Sequence, residues 1–71
     1  MKVTYDKDAD AAYIYLKGRI QPGEVKDTIM LNENIILDFN KDRKLIGIEI
    51  LSASMVMPKA AVASIHALKT A

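Results

Sequence analysis

The stretch Ile35-Ile36-Leu37-Asp38-Phe39-Asn40-Lys41-Asp42-Arg43-Lys44-Leu45-Ile46-Gly47-Ile48-Glu49-Ile50-Leu51 decides the fold. Two runs rich in β-branched and aromatic residues flank a polar turn, which is hairpin chemistry. With Lys41 to Lys44 as a four-residue loop, Asn40 pairs with Leu45, Phe39 with Ile46, Asp38 with Gly47, Leu37 with Ile48, Ile36 with Glu49 and Ile35 with Ile50. That register puts Ile35, Leu37, Phe39, Ile46, Ile48 and Ile50 on one face. A slip of one residue would move them to the other face, so the apolar pattern selects the pairing.

The preceding segment extends the same face. Asn32-Glu33-Asn34 reads as a tight turn, Leu31 pairs with Ile35 and Ile29 with Leu37. Thr28 then falls beside Asp38, and Asp27, opposite Phe39, belongs at the sheet margin. Further upstream, Lys2 to Tyr5 and Ala11 to Lys17 read as strands around the Asp-rich turn Asp6 to Asp10. Gly18 and Pro22-Gly23 punctuate the loop that follows.

Beyond Leu51 the composition changes. Of the 19 charged residues, 16 precede Leu45, which leaves an apolar tail to be packed on the core or on another chain. Pro58 suits a first helical position, and Ala61, Val62, Ile65 and Leu68 then form a narrow stripe opposite Lys59, Ala63, His66 and Thr70. The reading is one α+β domain over residues 1–71: an antiparallel β-meander of four to five strands over 1–51, then a linker and one C-terminal helix over 52–71.

Size and composition restrict function. A chain of 71 residues and 7.9 kDa hides only about 60% of its unfolded surface, and cores this small usually need a staple. There is no cysteine and a single histidine, which excludes disulfides and thiolate metal sites and leaves oligomerisation as the available staple. A net charge of +1 is no nucleic-acid signature, and no apolar window approaches the roughly 18 residues of a membrane span or a signal-peptide run. A cytoplasmic protein without a cofactor, not binding nucleic acid or membrane, is expected.

The residues Tyr5-Asp6, Asp10, Tyr13-Ile14, Leu16, Thr28, Ile36-Leu37-Asp38, Gly47-Ile48-Glu49-Ile50-Leu51 and Ser54 resemble the DUF2283 family of small prokaryotic proteins. The resemblance covers about residues 5 to 54 and implies a small β-rich domain with no assigned activity. For members encoded beside a small toxin-like protein it implies an antitoxin-like role. One departure stands out: the family pattern usually has Gly where this chain has Arg43. Gly would allow a positive φ there, and Arg would not do so cheaply.

Three groups of residues bear on function. Asp38, Asn40, Asp42 and Glu49 have the ligand spacing of a calcium loop, D-x-N-x-D with Glu at the twelfth position. Arg43 at the sixth position and strand-like flanks oppose that reading. Asp38 and Glu49 also share the outer face, with Gly47 leaving space between them, and offer a carboxylate-based metal or small-ligand site. Met55, Val56, Met57, Val62, Ile65 and Leu68 form the third group, an interface or the core beneath the helix. The function expected is non-enzymatic protein association as a homo-oligomer, most simply a homodimer. The alternatives are an antitoxin-like role toward a small partner protein and the carboxylate site.

Overall fold

The computed structural model describes the backbone of residues 1–68 and the side chains of residues 1–65. Five antiparallel strands form one sheet: β1 (Lys2–Asp6), β2 (Ala11–Tyr15), β3 (Asp27–Met30), β4 (Ile35–Phe39) and β5 (Leu45–Leu51). Two helices follow, α1 (Ala53–Val56) and α2 (Lys59–Leu68), so the α+β class stands with two helices where one was expected. The sheet order is β1-β2-β5-β4-β3. The run β3-β4-β5 is a local meander, and the β1-β2 hairpin attaches along its free side through β2 and β5.

Each of the three hairpin turns is seeded by a side-chain carbonyl or carboxylate that captures backbone N–H groups. Asp6 Oδ1 accepts from the N–H groups of Asp8 (3.0 Å) and Ala9 (3.2 Å). Asn32 Oδ1 accepts from Asn34 (2.8 Å) and Ile35 (2.9 Å), and Asn40 Oδ1 from Asp42 (2.9 Å) and Lys44 (3.0 Å). Such bonds compete well with regular ladders at the point where the chain must reverse.

The register between β3 and β4 is the one the apolar pattern requires, with Asp27 opposite Phe39, Thr28 opposite Asp38 and Ile29 opposite Leu37. The β4–β5 register agrees from Ile35–Ile50 through Asp38–Gly47 and then departs, because Phe39 pairs with Leu45 instead of Ile46. The loop is the reason. The Arg43 N–H donates to the Asn40 carbonyl (3.0 Å), and the Asn40 N–H donates to the Lys44 carbonyl (3.0 Å). Lys41-Asp42-Arg43 is therefore a three-residue loop of the kind built from a tight turn and one left-handed residue. Closing one residue earlier leaves β5 one residue too long, and a β-bulge absorbs the excess. Arg43 is the left-handed residue, at φ 63°.

The core is small and lies under the helices. Ala12, Ile50, Ala53 and Ile65 are buried together, with Val3, Tyr5, Ile14, Ile48 and Met57 packed around them. Helix α2 lies against β1, and α1 against β5 and α2. Ile65, the middle of the helical stripe, is thus core of its own chain and not free interface, as is much of Met57. Burying an isoleucine of this kind contributes about 1.5–3 kcal/mol. Leu68 belongs to the α2 backbone, but its side chain, like all of Thr70, lies outside the described residues. None of the described helices is long and apolar enough to cross a membrane.

Helix α1 is a single turn anchored from far away in the chain. Ser52 precedes it with φ 55° and makes no side-chain cap. The acceptors come instead from Asp10, itself at φ 52°. Its carbonyl receives the Ala53 N–H (2.9 Å), and its carboxylate receives the Ser54 N–H (3.1 Å to Oδ1) and the Ser54 hydroxyl (2.6 Å to Oδ2). Tyr5 completes the cluster by donating its hydroxyl to Asp10 Oδ1 (2.6 Å). Two orphan N–H groups of the first turn are satisfied in this way, the work usually done by a cap residue next in sequence.

The strained turn yields a prediction. A left-handed conformation costs a non-glycine residue about 1–2 kcal/mol, and Arg43 is exposed with its side chain in no hydrogen bond among the described residues. Arg43→Gly is expected to stabilise the fold by about 1 kcal/mol, read as a higher urea midpoint at an unchanged slope. A lower midpoint would refute the strain assigned to this turn.

Candidate functional site

Alternation along the strands gives the sheet two unlike faces. The inner face carries Val3, Tyr5, Ala12, Ile14, Ile48, Ile50, Ile35, Leu37 and Ile29. Among the described residues the helices pack on its β1 and β5 strands. Beyond them β4 is half-buried along its length, and β3, an edge strand, is exposed along its whole length. Ile29 is 51% exposed and Leu31 63%, while Met55 and Val56 of α1 remain outside the core at 86% and 38%. An edge strand with an unpaired ladder and an apolar face beside it is a surface that soluble proteins ordinarily cover.

The outer face is polar and carries a built network. Lys2, Tyr15, Gly47, Asp38 and Thr28 form one cross-strand row from β1 to β3. The next row is Thr4, Tyr13, Glu49, Ile36 and Met30. Tyr13 leans out of its own row, across Gly47, and donates its hydroxyl to Asp38 Oδ2 at 2.6 Å. Thr28 donates to the other oxygen, Oδ1, at 2.9 Å. The Tyr13 and Tyr15 rings meet edge to face with centroids 4.6 Å apart, and the Lys2 ammonium lies 5.4 Å from the Tyr15 ring centre. A Cβ on Gly47 would stand 1.9 Å from the Tyr13 hydroxyl, so glycine is required for the crossing.

The electrostatics follow from this packing. Partial burial, the hydrogen bond to Asp38 and the Asp38 charge together push the Tyr13 phenol well above its usual 10. The bond to Asp10 is the main cause holding the Tyr5 phenol above the usual value as well. In the loop between β2 and β3 Lys17 pairs with Glu24, and that bond, with a second from the Gln21 N–H (2.7 Å), lowers the Glu24 carboxyl.

The four residues with calcium-loop spacing are placed separately. Asp38 is engaged by two hydroxyls, and Asn40 shapes the hairpin turn through its Oδ1. Asp42 is exposed at the turn, and Glu49 sits one row away on β5. Among the described residues no three His, Cys, Asp or Glu side chains come together as a cation site. Asp38 and Glu49 do share the outer face with Gly47 between them, as the strand pattern requires. Tyr13 is the member that sequence reasoning missed. It reaches Asp38 only because β2 pairs with β5, a contact that no local pattern announces.

Residues 2–54 match the family model described as protein of unknown function DUF2283. No curated protein matches, and no solved structure does. The positions that carry the resemblance include Tyr5, Asp10 and Ser54 of one hydrogen-bond cluster, and Tyr13, Thr28, Asp38 and Gly47 of the other.

Two outcomes are expected. Tyr13→Phe removes a partly exposed hydrogen bond to a charged acceptor and should cost about 1–2 kcal/mol in chemical denaturation. The raised phenol sets the sign with pH: the stabilisation is complete below the unfolded value near 10 and is lost as pH rises through the higher folded value. Stability of the wild type should therefore fall more steeply between pH 9 and about 12 than that of Tyr13→Phe. Parallel curves would show that Tyr13 is not held neutral by the fold.

Proposed function

Since the chain belongs to the DUF2283 family, whose description assigns no activity, we propose a function from its surfaces: a non-enzymatic association module that forms a homo-oligomer. The observation that carries this reading is the uncovered β3–β4 half of the inner sheet face. Its apolar residues continue the row of the core, and the two helices stop short of them. Among the described residues five hydrophobic residues are buried, two of them alanines, and no large side chain is fully buried. A second sheet packed face to face at about 10 Å would supply the missing layer. The association surface is then Ile29, Leu31, Leu37 and Phe39, with Met55 and Val56 at the helix end. Ile65 and Met57 support it from within the core.

An antitoxin-like role uses the same surface with a small partner protein in place of a second copy. The carboxylate-based metal or ligand reading is less favoured, because both oxygens of Asp38 already accept hydrogen bonds.

Light scattering after size exclusion, over a range of protein concentrations, tests the proposal. The expected result is a stable multiple of 7.9 kDa that falls toward one chain in Ile29→Lys. Ile29 is half exposed in the single chain, so the variant should still fold on its own. A folded wild-type monomer at every concentration overturns the homo-oligomer. A complex with a co-expressed small protein that Ile29→Lys abolishes would then assign the surface to that partner.

A further inference from the structure

We propose that the outer face of the sheet carries a pocket for one cationic side chain, a lysine or arginine presented by a partner polypeptide. The pocket lies on the opposite face from the association surface and does not depend on that reading. Six outer-face residues form two adjoining rows across β1, β2 and β5: Thr4, Tyr13 and Glu49 in one, Asp6, Ala11 and Leu51 in the other. They line an open depression of about 420 Å³, within the ~300–1,000 Å³ range of ligand pockets.

Two features of the fold create the depression. Ala11 is the smallest of the six, and its short side chain leaves room between its larger neighbours. Tyr13 is drawn away from Ala11 toward Gly47 and Asp38 by its hydrogen bond, which leaves its ring as a wall and not a lid. The chemistry around this space has one sign. Glu49 is half-buried and makes no hydrogen bond or ion pair among the described residues. Asp6 uses Oδ1 in its turn, and its Oδ2 accepts no bond among the described residues. Leu51 and the Tyr13 ring supply apolar walls. An aliphatic stem ending in a positive charge suits this lining: the stem against Leu51 and Ala11, the charge toward the carboxylates of the rim and near an aromatic face. The next row already holds such a contact, Lys2 over Tyr15.

The openness of the site selects a side chain over a free amine. A small amine in a shallow depression leaves most of its surface in water. A side chain delivered by a protein surface adds contacts along the same rows, where Ile36 and the 63% exposed Met30 continue the face.

Amide-resolved NMR of the whole chain tests this with three probes: a blocked Gly-Lys-Gly peptide, its norleucine counterpart and n-butylamine. The lysine peptide should give saturable shifts at Ala11, Tyr13, Glu49 and Leu51. Glu49→Gln keeps the shape of a residue with no hydrogen bond to lose, and should weaken binding about three- to fivefold, as should raised salt. Ala11→Leu fills the depression and should abolish the shifts. Absence of saturable shifts, or equal binding of the norleucine peptide, overturns the proposal. Butylamine binding as tightly as the lysine peptide would overturn the assignment to a polypeptide and leave a small-amine site.

Discussion

Pairing of β2 with β5 turns two local hairpin units into one sheet, and the Tyr13–Asp38 hydrogen bond fastens that joint from the outer side. The bond runs from β2 to β4 over the strand between them, so it can form only when all three are in register. Gly47 provides the gap through which Tyr13 passes, and any side chain there would collide with the hydroxyl. One tyrosine, one glycine and one aspartate thus convert correct register on three strands into a single interaction. Thr28 extends the same carboxylate to β3, which brings the far edge into the network.

The helices depend on a second long-range device. Helix α1 has too few residues to be stable alone, since nucleating a helix costs more than one turn returns. The Asp10 carboxylate and carbonyl hold its first turn, and the Tyr5 hydroxyl holds Asp10. The β1–β2 turn is therefore joined directly to the chain that leaves β5. That junction directs α2 back over β1, where Ile65 closes the small core. It also decides which part of the inner face the helices reach.

Much of this was legible from residue pattern alone. The β3–β4 register and most of the β4–β5 register followed from keeping isoleucines and leucines on one side. The exposed and buried sides of α2 followed from 3.6-residue spacing, with Lys59 and Ala63 out and Ile65 in. The placing of Asp38 beside Thr28, with Glu49 nearby and Gly47 between, was legible for the same reason. What escaped was non-local or very short. The bulge at Phe39 depends on whether three or four residues close the turn, and Arg43 at positive φ is not what its side chain advertises. Helix α1 escaped because four residues show no periodicity and their cap lies 44 positions away.

By itself, the sequence determined the α+β class, the strands, the apolar inner face and the scarcity of core material. These rest on periodicity, turn chemistry and composition, which act between neighbours in the chain. Only the tertiary structure decided that β2 lies against β5, that Tyr13 engages Asp38, and that Asp10 caps α1. It also decided that Ile65 is core while Ile29 is surface. Both are isoleucines on apolar stripes, and the pattern treats them alike. The difference arises because a helix of ten residues reaches across part of a five-stranded sheet and leaves the rest open.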